Sequence, residues 1–106
     1  MVNESVINKI KEYLIELTEK GLDIHKAILY GSYTKGAANE DSDIDLLLVS
    51  KQFDNDIDKF TTIVWLSQIR SEYRIEPYMV GEQRFYTGFS PLIDAAKYEG
   101  VEITIN

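Results

Sequence analysis

Residues 27–49 read AILYGSYTKGAANEDSDIDLLLV: a short apolar run, an abrupt Gly31-Ser32, a polar connection, and a second apolar run that opens with two aspartates. Ala27 to Tyr30 has the composition of a buried strand running into a tight turn, and Asp43 to Val49 reads as its partner strand. Between them, Tyr33 to Ala38 is long enough only for a short helix, and Ala38 to Ser42 is polar loop chemistry. Side chains alternate along an extended strand, so Asp43 and Asp45 share one face while Ile44 and Leu46 share the other. Two strands joined through a glycine-marked turn therefore carry a pair of carboxylates at one end.

Working outward, Val6, Ile10, Tyr13, Leu14 and Leu17 fall on one face of a helix over Glu4 to Lys20, with Asn3 as its cap and Gly21 as its stop. Ile57, Phe60, Ile63 and Val64 mark a second long helix ending near Ser71. Arg74 to Val80 reads as a third strand, which Pro77 makes an edge or an irregular one. Ser90-Pro91 starts a short helix that Gly100 closes, and Val101 to Ile105 is a candidate last strand. With no repeat and no linker, residues 1–106 are expected to form one domain. Its class is α/β of the α+β type, a small mixed sheet with helices mainly on one face and the carboxylates on the other, under an open cleft.

A chain of 106 residues with 44% hydrophobic content buries roughly 65% of its unfolded surface, so a large substrate has to lie on the outside. The absence of cysteine excludes a disulfide framework and a thiolate zinc site, and with no charged-then-apolar leader the expected location is cytoplasmic. No apolar run approaches ~18 residues, so no membrane span is expected. Eighteen acidic against 11 basic residues give a formal charge of −7. That balance opposes direct nonspecific nucleic-acid binding; it suits a metal-dependent site, a basic partner, or simply a solvated acidic surface.

The chemistry concentrates in the quoted stretch. Two carboxylates side by side repel each other unless a cation sits between them, and magnesium takes this kind of site: a few carboxylate oxygens, several waters and a substrate's phosphates. An isolated Asp-x-Asp also occurs on ordinary half-exposed strands. What precedes it changes the reading, because Gly31 permits close backbone approach, Ser32 offers a hydroxyl and an amide, and a helix starting there aims N–H groups at an anion. Lys35 and Gly36 extend that cradle, the lysine as a point charge for a phosphate or as a solvated surface residue. A third carboxylate is needed to hold two metals. Glu76 is the best candidate, with Glu72 and Glu82 as competitors and an exposed strand position as the other reading.

At these residues the chain resembles the minimal nucleotidyltransferases of the DNA polymerase beta superfamily: Gly31-Ser32, ten intervening residues, then Asp43-Ile44-Asp45, with an acidic residue on a later strand. Lys35 stands where such proteins often carry arginine, and Glu76 where many carry aspartate. The resemblance implies transfer of AMP from ATP to a hydroxyl acceptor with pyrophosphate leaving. It gives Asp43, Asp45 and Glu76 the catalytic role of holding two magnesium ions, and Gly31, Ser32, Lys35 and Gly36 the role of binding the nucleotide. Stand-alone members resemble antitoxins paired with a helical HEPN-family ribonuclease, some of which place AMP on a tyrosine of that partner. Two other classes stay open: a binding module that neutralises a toxin by occlusion, and a tailoring subunit acting on RNA or a small molecule.

Three further features carry two readings each. Trp65, Leu66 and Ile69 lie on a different side of their helix from Phe60, Ile63 and Val64, which leaves one face for a partner or for cover by the C-terminal segment. Phe85, Tyr86 and Phe89 either flank a nucleobase or pack a loop. His25, the single histidine, is read as structural or solvated, without a partner in reach.

Overall fold

The computed structural model describes residues 3–39 and 41–105; Glu40, part of the expected polar loop, lies outside the described residues. In order, the elements are α1 (Glu4–Glu19), β1 (Lys26–Tyr30), a 3-10 turn (Gly31–Tyr33), β2 (Ile44–Ser50), α2 (Gln52–Asn55), α3 (Ile57–Ser71), β3 (Ile75–Gly81), α4 (Glu82–Thr87), α5 (Pro91–Glu99) and β4 (Val101–Glu102).

The four strands form one mixed sheet in the order β3-β2-β1-β4, with β2 parallel to β3 and antiparallel to β1, and β4 antiparallel to β1. Pro77 sits in β3, an edge strand, where a missing N–H costs no ladder bond. The two long helices cover one face. There Val6, Ile10, Tyr13, Leu14 and Leu17 of α1 and Val64 of α3 pack on Ala27, Leu29, Ile44, Leu46, Leu48 and Ile75. The Tyr13 hydroxyl donates to the Val64 carbonyl at 2.9 Å and ties the two helices together. Burial pushes that phenol well above its ordinary pKa, so it remains a donor.

The opposite face is divided. Over one half, Phe85 of α4 and Ile93 and Ala96 of α5 bury Ile28, Leu47, Val49 and Val80. The other half, at the β2 N-terminus, is open and carries the acidic residues. Because β2 is covered on both faces below Asp45, it reads Leu46-Leu47-Leu48-Val49, four buried residues without alternation.

Three local expectations are corrected. The short helix over Tyr33–Ala38 is a single 3-10 turn, Gly31–Tyr33, followed by bonds from the Lys35 and Ala37 N–H groups to the Ser32 carbonyl. Gly36 at φ +71 takes the left-handed conformation there, which a continuing helix excludes. The last strand spans only Val101–Glu102, although the Ile103 N–H still bonds to Ala27 O at 2.8 Å. Helices α2 and α4, four and six residues long, are too short for an amphipathic period to register. Through α4, His25 gains the partner it was expected to lack: its Nε2 lies 2.7 Å from the Tyr86 hydroxyl.

On α3, Val64 is buried and Phe60 and Ile63 pack on the core, whereas Trp65, Leu66 and Ile69 are 41%, 53% and 65% exposed. The C-terminal segment pairs with β1, away from that helix face, and does not cover it.

Candidate functional site

Strand register builds the site. Asp45 on β2 is directly opposite Tyr30 on β1 and Glu76 on β3, so Glu76, Asp45 and Tyr30 form one row across three strands on the open half of the sheet. Asp43 precedes β2 by one residue and is exposed; Asp45 is half-buried and Glu76 exposed. Desolvation raises the Asp45 pKa above the usual carboxylate range, and the charges of Asp43 and Glu76 raise it further. Both neighbouring acids thus act on the Asp45 carboxylate. Tyr30, half-buried, is pushed up to about 12 by burial first and then by Asp45, Tyr78 and Glu76.

Gly31 follows Tyr30 at φ +82, a conformation that strains any residue with a Cβ, and a Cβ at this position would overlap Asp45 Oδ2. The glycine that turns the chain out of β1 also makes room for the Asp45 carboxylate. Among the described residues, no three acidic or histidine side chains converge into a cage ready for a metal. The donor set is carboxylate oxygen on an open surface. It fits a hard cation that accepts one or two carboxylates and completes its shell with phosphate oxygens and water, as magnesium does.

The nucleotide-binding candidates divide. Ser32 lies in the turn next to Gly31, and the Thr34 hydroxyl closes that turn on Gly31 O at 2.9 Å. Lys35 Nζ is 3.3 Å from Glu99 Oε2 at the end of α5, an exposed pair. Gly36 does not border the carboxylates. It lines a cleft of about 550 Å³ on the other side of the loop, with Asn3, Ser5, Tyr33, Asn39 and Arg74.

The three acids proposed for the third position are also separated. Glu72 is taken by Arg74, whose Nε lies 3.1 Å from Glu72 Oε2, and this bond holds the Glu72 carboxyl below its ordinary pKa. Glu82 begins α4 beyond Gly81, which pairs with Ser50 at the far end of β2. Glu76 is the one in register with Asp45. Of the aromatic candidates for a nucleobase, Phe85 is buried under Lys97, whose Nζ is 4.7 Å from the ring centroid, while Phe89 is 98% exposed. Sequence reasoning missed Tyr30. Its place next to Gly31 was visible, but its position opposite Asp45 depends on a strand register that local composition does not encode.

Residues 7–89 match the family described as nucleotidyltransferase domain. Among solved structures, the chain resembles a provisionally assigned nucleotidyltransferase from Sulfolobus solfataricus, with a TM-score of 0.55 and 17% identity over 91% of this chain and 77% of that one. It also resembles a chain from a structure described as a toxin–antitoxin with AMP-PNP, with a TM-score of 0.59 and 16% identity over 91% of this chain and 73% of that one. At these identities the likeness establishes a shared fold. No curated protein matches the chain.

Proposed function

The chain belongs to the nucleotidyltransferase domain family, and on that premise we propose that it transfers AMP from ATP to a hydroxyl acceptor, a tyrosine of a HEPN-family toxin, and so acts as an antitoxin in the cytoplasm. The observation that carries this reading is the row of Asp45 and Glu76 in register beside the Gly31-Ser32 turn, with Asp43 within electrostatic reach. Asp43 and Asp45 would hold Mg2+ with the triphosphate, and Glu76, on the outer strand, would share an ion and face the acceptor. Bound there, two such ions would supply charge neutralisation at the α-phosphorus and on the leaving pyrophosphate. Ser32 orients the β/γ-phosphates through its hydroxyl and backbone, and Lys35 supplies positive charge once it leaves Glu99. The similarity to a toxin–antitoxin supports the partner, and the −7 charge suits docking on a basic one.

The exposed stripe of Trp65, Leu66 and Ile69 favours a second reading, in which the same chain neutralises its partner by occlusion. Calorimetric titration of ATP with and without Mg2+, on the wild type and on an Asp43→Asn, Asp45→Asn double variant, tests the nucleotide site. Binding that needs both the metal and the aspartates is expected, followed by AMP transfer to a co-purified partner. Wild-type protein that binds no nucleotide even with that partner present would leave occlusion as the surviving reading.

A further inference from the structure

We infer that Tyr30 is a positioning residue for Asp45, its hydroxyl serving as the outer hydrogen-bond partner of that carboxylate when the carboxylate holds a divalent cation. The inference rests on the reading of Asp45 as a metal ligand. Carboxylates that bind a metal are themselves held by hydrogen bonds, which fix their orientation and tune their affinity. Among the described residues, none, Tyr30 included, donates a hydrogen bond to the Asp45 carboxylate, so a neighbour with a free donor is placed to take that role once a cation is bound. Its two neighbours in the row are Glu76, which brings another negative charge, and Tyr30, which brings a neutral O–H. Gly31 closes the β1 side by backbone approach and offers no side chain. The Tyr30 ring is anchored by packing, as are Tyr78 and Leu92, against the buried cluster that includes Ile28, Leu47 and Ile93. An anchored ring loses little entropy when its hydroxyl orders, which suits it to hold a carboxylate in one direction.

Directly opposite residues on an antiparallel pair stand about 5 Å apart at Cβ, within the span of a phenol and a short carboxylate. Phenylalanine at this position keeps the ring and its packing and removes only the donor. The test is a Mn2+ titration followed by electron paramagnetic resonance on the full chain, wild type and Tyr30→Phe, with and without AMP-PNP. Thermal unfolding of both proteins in a chelator accompanies it. Mn2+ bound roughly tenfold more weakly by Tyr30→Phe, with an unchanged melting midpoint, is the expected result. Equal Mn2+ affinity overturns the inference, as does a lower midpoint that accounts for the weaker binding as general loosening. A wild type that binds no Mn2+ in either condition overturns the metal reading of Asp45 and the role of Tyr30 with it.

Discussion

Asp45 is where burial and function pull against each other. Folding removes its carboxyl from water and sets it beside Asp43 and Glu76, so the folded chain holds that proton to a higher pH than the unfolded chain does. Between the ordinary carboxylate value and the raised one, the folded state binds more protons. Stability therefore falls as pH climbs through that window, and the penalty is complete above it. Asp45→Asn removes the penalty. In metal-free buffer at neutral pH the variant is expected to melt a few degrees higher than wild type, and its advantage should shrink as pH is lowered through the window. Equal melting temperatures at pH 7 would show that the site carries no such strain. A stabilising loss of function is the pattern expected where a site is kept for chemistry at a cost in stability.

At the scale of elements, the connection from β1 to β2 shows how a short segment is governed by neighbours distant in sequence. Lys35 belongs to the turn that follows Gly31-Ser32, yet its charge is met by Glu99 on the last helix. An exposed pair of this kind contributes little to stability, but it competes for the cation that a triphosphate needs. Glu99→Gln is expected to tighten ATP binding about two- to five-fold at low salt, the factor such a pair is worth. The gain should vanish in a Lys35→Ala background. Unchanged affinity in the single variant would mean that Lys35 does not serve the nucleotide. Helix α3 shows the other kind of dependence: its inner face is decided by packing, and its outer face is left bare. Ile69→Lys should leave the unfolding free energy within about 0.5 kcal/mol of wild type, whereas Leu47→Ala, at a fully buried sheet position, should cost about 2–5 kcal/mol. A large loss from Ile69→Lys would show that the stripe is covered by this chain itself.

For the whole molecule, local patterns carried the architecture far. Helical stripes placed α1 and α3, Pro77 pointed to an edge strand, Ser90-Pro91 and Gly100 bounded α5, and the alternation around Ile44 set the carboxylates on one face. These are properties of consecutive residues, encoded by side-chain period and turn chemistry. The sequence favoured Glu76 as the third acid, but local pattern could not supply the pairing that sets it beside Asp45. Glu72, Glu76 and Glu82 are the same residue type and close in sequence; only the parallel register of β2 and β3 sets Glu76 beside Asp45, and a slip of one residue would turn it to the other face. The antiparallel register of β1 likewise brought Tyr30 into the row, and the short helix α4 delivered Tyr86 to His25. Sequence determined the strands, the turn and the paired aspartates because each depends on neighbours along the chain. Tertiary structure alone decided that Glu76, already favoured in the sequence, and the unforeseen phenol of Tyr30 stand beside them, because those positions are set by pairing between segments that the chain brings together only when it folds.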